Sequence, residues 1–144
     1  MLAAPAIGAM PSLALAQKDK LEKPKLTISV GGKNLFYYLP LTIAEQLDYF
    51  SQEGLSVDIV DFAGGSAALR AVVGGSADVV SGAYEHTINL QSKGQMFTEF
   101  VLQGRAPQIV LAVSTKTMPD YKSLADLKGR KIGVTAPGSS TNMM

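Results

Sequence analysis

Cysteine is absent from the 144 residues, which removes disulfides, thiolate metal sites and cysteine nucleophiles together. Histidine is nearly absent: His86 is the single one, and one imidazole cannot furnish a metal cluster. Charge of one sign is also lacking. Thirteen Lys plus Arg face twelve Asp plus Glu, a formal charge of +1, so no basic footprint for nucleic acid or an acidic membrane exists. There is no Gly-x-Ser-x-Gly elbow to support a hydrolase triad around His86. The sequence therefore offers no catalytic constellation, and no metal or cofactor is expected.

Long apolar runs are scarce too. The best candidate, Met1 to Ala16, carries Pro5 and Pro11 and falls short of the roughly 20 apolar residues that a membrane-spanning helix needs. It is uncharged and ends in Ala14-Leu15-Ala16 before the charged stretch Lys18 to Lys25. A small-x-small ending before a polar leader resembles a secretory cleavage site. Residues 1–16 are thus expected to be a truncated signal peptide without its basic n-region, with Met1 an internal or late start, and residues 17–25 a charged leader. Export and a mature start at Gln17 follow as expectations.

What the chain does have is 47% hydrophobic residues, enough for one globular domain and a piece of a second. Leu26 to Val30 alternates as a strand and stops at Gly31-Gly32. Residues 40–52 have Pro40 in the first turn and Ile43, Leu47 and Phe50 at helical spacing, with Gly54 as the stop. Leu55 to Val60 is a second strand. Gly64-Gly65 turns the chain, Ser66 is placed as the cap of the next helix, and Leu69, Val72 and Val73 form its apolar face. Asp78 to Ser81 is a third strand, and a helix from about Tyr84 to Lys93 ends at Gly94. This order predicts parallel pairing in an open α/β sheet, whose ligand sites lie beyond the carboxyl ends of the strands.

Two more strands, Phe97–Gln103 and Gln108–Ser114, flank the short link Gly104 to Pro107, which suits an antiparallel turn. Ser123 with Asp126 opens a one-turn helix closed at Gly129. Lys131–Thr135 reads as a strand, and Pro137-Gly138-Ser139-Ser140-Thr141 as a loop opening another helix. Residues 26–115 are accordingly expected to form a first α/β lobe with crossing strands, and residues 116–144 the start of an incomplete second lobe.

Pro40 to Phe50 leading into Glu53-Gly54-Leu55, then Phe62 to Ser66, Gly75 to Val79, Ser123 to Gly129 and Ile132-Gly133-Val134 resemble, in order, the landmarks of the nitrate/sulfonate/taurine-type substrate-binding proteins. Each motif is weak alone; the joint order over Leu26 to the end is specific. The resemblance implies a type 2 periplasmic-binding-protein fold, two lobes joined by a hinge with the ligand between them. It implies a monomeric, periplasmic component of an ABC importer that hands a small polar solute to a membrane permease without chemistry. The thiamin-pyrimidine synthase branch of the same fold is the enzyme alternative. Its members carry a cysteine-rich segment. A ligand-sensing domain is a third class.

The expected ligand residues follow from helix starts. Gly64, Gly65 and Ser66, and likewise Gly138, Ser139, Ser140 and Thr141, form Gly/Ser loops that open helices, where free N–H groups and the positive dipole end suit sulfonate, nitrate or carboxylate. In a bilobal protein the two loops would face each other. Tyr84 and Glu85, at the end of the third strand, are placed to stack and to hold a cationic group, which would favour a zwitterion. Asn34 and Tyr37 are placed at the mouth of the cleft. His86 is expected to point to solvent, and Arg70 and Arg105 to be solvated.

Overall fold

The structure, a computed structural model, describes residues 21–105 and 109–143. The expected cleavage site lies outside them, as do residues 17–20 of the leader and residues 106–108. β1 (Lys25–Val30) is the centre of a three-stranded parallel sheet, with β2 (Ser56–Asp61) on one side and β3 (Val79–Val80) on the other. The register runs from Lys25 opposite Ser56 to Val30 opposite Asp61, and Ile28 opposite Val79. The α/β open sheet expected from the strand and helix order is therefore present.

Alternation along β1 sends its residues to two different layers. Ile28 and Val30 pack with Tyr38 and Leu41, with Phe50, Val57, Ile59 and Val79 around them. Fully burying such a side chain contributes about 1.5–3 kcal/mol. On the opposite face, Ser29 is fully buried, and its hydroxyl lies 2.9 Å from the Ala68 carbonyl and 3.2 Å from that of Val79. That contact fastens α3 (Gly65–Val73) to the sheet.

The buried residues of α3 are Ser66, Ala68 and Ala71, while Val73 is exposed. This corrects the expected face of Leu69, Val72 and Val73. Small side chains let the helix lie close on β1, and Leu69 and Val72 are displaced into a groove beside it. The helix expected over 40–52 is two pieces, α1 (Leu39–Gln46) and α2 (Tyr49–Gln52), because Asp48 takes a left-handed conformation with φ 57°. The break rotates the second half, so Phe50 reaches the core while Ile43 and Leu47 stay exposed. α4 (Glu85–Gln91) and a single 3-10 turn at Leu124–Leu127 fall where expected. Asp126 accepts the amides of Lys122 and Ser123 at 2.9 and 2.8 Å, which holds its carboxyl below the ordinary range. α5 (Ser140–Met143) follows the last loop.

The strands expected over 97–103, 108–114 and 131–135 do not form among the described residues. A strand exists only where a neighbour pairs its backbone. Both edges of β1 are taken, β3 has two residues, and these segments find no ladder, leaving Phe100, Val101, Leu102, Val110 and Ile132 exposed. Among the described residues no helix is long and apolar enough to cross a membrane.

Candidate ligand site

The loops at the carboxyl ends of the strands converge on the start of α3. Gly31 directly follows β1, and a Cβ there would stand 2.3 Å from the Gly64 carbonyl carbon and 2.3 Å from the Gly65 nitrogen. The β2–α3 loop thus crosses directly over Gly31, which only a residue without a side chain permits. The Gly31 amide donates to the Tyr38 hydroxyl at 3.1 Å. Burial raises the Tyr38 pKa, with the Gly31 hydrogen bond opposing and Asp61 adding to the rise. Asp61, the last residue of β2, accepts the amides of Gly32 and Lys33 through Oδ1 at 2.7 and 2.9 Å. The first loop is therefore tied to the second strand.

α3 begins without a side-chain cap. Its N-cap is Gly64, not Ser66 as expected; the Gly64 carbonyl accepts the amides of Ala67 and Ala68 at 3.0 and 3.1 Å. Ser66 instead lies inside the first turn, 7% exposed. Its amide donates to the Ser139 hydroxyl oxygen at 3.2 Å, and the two hydroxyls are 3.4 Å apart. Among the described residues the amides of Gly64 and Gly65 have no hydrogen-bond acceptor. Free amides at the positive end of a nine-residue helix form a donor set for an anion.

The last loop supplies the opposing wall. Ser139 is 2% exposed, and a Cβ on Gly64 would meet the Ala136 Cβ at 3.2 Å and the Ser139 Oγ at 3.3 Å. Within this loop the Gly138 amide donates to the Asn142 Oδ1 at 2.9 Å, and the Thr135 amide to the Thr141 hydroxyl oxygen at 3.0 Å. Among the described residues, Ser139 alone of the four expected residues hydrogen-bonds the start of α3; Gly138 lies near Ser66, with its Cβ position 3.8 Å from the Ser66 Cβ. Ser140 opens α5, and Thr141 holds the loop's own shape.

At the end of β3, Tyr84 is 65% exposed and Glu85 has a buried Oε1 without a partner among the described residues. His86 does not point to solvent as expected. It is 4% exposed, its Nδ1 is buried without a partner among the described residues, and Nε2 lies 3.2 Å from the position of a Cβ on Gly65. The missing side chain at Gly65 makes room for the ring. Burial lowers its pKa and the Glu85 carboxylate opposes that shift, so the neutral imidazole is favoured.

The sign of the resulting pH dependence is fixed. Because the folded pKa lies below the ordinary 6.5, the stabilisation is complete above that value and is lost as pH falls through the folded value. The urea midpoint should drop between pH 7 and pH 5, and His86→Gln should flatten that part of the profile. An equally steep profile in the variant would assign the dependence to other groups.

An apolar groove of about 600 Å³ runs beside the site, lined by Tyr37, Leu69, Val72, Tyr84, His86 and Phe97 among others. Tyr37 meets the Tyr38 ring edge-on with centroids 5.0 Å apart. Its pKa is raised by burial first, then by Tyr38, Glu85 and Glu99. Asn34 is not brought to the groove. It lines a separate pocket of about 330 Å³ next to the Lys33–Glu45 ion pair. Arg70 and Arg105 are exposed, as expected. Sequence reasoning passed over Gly31, Asp61 and His86 as site residues. The doubled glycine directly after β1 was the available signal for the first.

The family described as NMT1/THI5 like matches residues 35–144. A solved structure of a protein from Bordetella bronchiseptica RB50 is 71% identical, with a TM-score of 0.81 over 86% of this chain and 39% of that one. The present chain thus spans well under half the length of that relative. No curated protein matches.

Proposed function

The chain belongs to the NMT1/THI5-like family, and on that premise we propose that it supplies the first lobe, and the opening of the second, of an extracytoplasmic solute-binding component of an ABC importer. The solute is a small anion or zwitterion such as a sulfonate, taurine or nitrate. It is bound between the Gly64–Ser66 loop and the Pro137–Thr141 loop and passed unchanged to a membrane permease. One observation carries this reading: Ser66 and Ser139, 73 positions apart, meet at the start of α3, where among the described residues the neighbouring amides of Gly64 and Gly65 have no acceptor.

The chemistry follows from that arrangement. The amides of Gly64 and Gly65 donate to anionic oxygens, and hydrogen bonds to a charged acceptor are roughly twice as strong as neutral ones. The unpartnered carboxylate oxygen of Glu85 is suited to a cationic end, favouring a zwitterion over a bare anion. Tyr37 and Tyr84 supply aromatic surface beside it. Separation of the two loops admits the solute, and their approach excludes water.

Calorimetric titration of the two-lobed protein with taurine, ethanesulfonate and nitrate tests the proposal, with mass spectrometry of the recovered solute. Saturable binding of at least one, recovered intact, is the expected result. Turnover of the bound molecule would favour the enzyme branch of the fold, and no binding of any of the three would refute the solute class.

A further inference from the structure

We propose that His86 is a solute-binding residue, its Nε2–H donating to the same anionic group as the Gly65 amide. It rests on the reading of the α3 start as the anion site and adds to that site a side chain from a second element. His86 belongs to the first turn of α4, yet its ring reaches across to α3. Nε2 is 3.2 Å from the position of a Cβ on Gly65, and the residue lines the groove beside it. His86 is 4% exposed, and among the described residues neither ring nitrogen has a hydrogen-bond partner.

A buried polar side chain without a partner is uncommon in a folded protein. The two ring nitrogens are not equivalent. Nδ1 is fully buried, and buried N–H groups without an acceptor are rarer than buried acceptors without a donor, so the single proton of the neutral ring belongs on Nε2. A Cβ stands about 2.5 Å from its own nitrogen, which puts Nε2 within about 5.7 Å of the Gly65 nitrogen. Two donors at hydrogen-bond lengths of about 2.9 Å span that distance through one shared oxygen, and more easily through two oxygens of one sulfonate, carboxylate or nitrate. The direction of the donor is fixed, since the ring is packed between Gly65 and Gly82, whose Cβ positions are 3.2 Å from Nε2 and 3.7 Å from Cδ2.

Two measurements on the full-length protein test this, with ethanesulfonate, taurine and nitrate as the probes. The Nε2 nitrogen and proton resonances of His86, assigned by their loss in His86→Gln, should shift at saturation, and exchange of that proton with water should slow at least about tenfold. Calorimetry should show His86→Phe binding weaker by roughly tenfold or more, the loss of one hydrogen bond to a charged acceptor. His86→Gln, whose amide places an N–H near the Nε2 position, should stay within about threefold of wild type. Saturable binding with the ring resonances unmoved would overturn the contact and leave the anion reading in place, and so would His86→Phe binding as tightly as wild type. Equal losses in the two variants would reduce His86 to packing against Gly65. The resonance measurement uses the wild-type protein and decides the matter whether or not His86→Phe folds. Absence of binding of all three probes by the wild type would reject the anion reading and the His86 contact with it.

Discussion

Gly31→Ala is expected to destabilise the protein by about 3 kcal/mol, at the upper end of overpacking costs. The added methyl would stand 2.3 Å from two backbone atoms of the β2–α3 loop, the Gly64 carbon and the Gly65 nitrogen. Backbone cannot swing aside as a flexible side chain can. Either β1 shifts, disturbing its pairing with β2 and β3, or the loop lifts and carries the free amides away from Ser139. Urea unfolding would register the loss as a lowered midpoint at unchanged slope. Gly104→Ala, where a Cβ meets nothing within 4 Å, should leave the midpoint unchanged. A wild-type midpoint for Gly31→Ala would mean that the loop does not cross the strand end as described.

The second large effect concerns binding. Gly65→Val should weaken ligand affinity by roughly a hundredfold, the equivalent of losing one to two charge-assisted hydrogen bonds. A Cβ at this position already lies 3.2 Å from the His86 Nε2, and the branches of valine would press on the ring and crowd the amide that faces the anion. Ser66→Ala retains its amide and should cost about threefold or less. It should also cost little stability, because Gly64 is the cap and the Ser66 hydroxyl makes only the long 3.4 Å contact with Ser139. Circular dichroism and thermal unfolding of both variants separate binding loss from misfolding. Equal affinities for Gly65→Val and wild type would reduce the loop to a helix start, and the site would lie nearer Tyr84 and Glu85.

The sheet was legible in the sequence because its signals are local. Alternation in Leu26 to Val30 and the glycine stops after it follow from backbone geometry alone, and three strands separated by short helices permit parallel pairing only. The meeting of the Gly64 and Ser139 loops was also anticipated, since both read as Gly/Ser loops that open helices. What failed depended on distant partners. Segments 97–103 and 131–135 carry strand-like patterns but no neighbour among the described residues, and pattern without a ladder does not make a strand. The orientation of His86 was equally hidden. Nothing in its own helix marks it as buried; the space that admits it is the absent side chain of Gly65, on another element. Asp61 reads as the end of an alternating strand, and its role in holding Gly32 and Lys33 emerges only when β1 and β2 lie side by side.

The central claim is that the start of α3 holds the solute. Backbone amide resonances of the nitrogen-15-labelled full-length protein, followed during titration with the solute found by calorimetry, test this directly. The amides of Gly64, Gly65 and Ser66 should shift most, as free or hydroxyl-bonded donors become bound to an anion, and that of Ser139 should move with them as the loops rearrange. Saturable binding that leaves those four resonances in place would contradict the account.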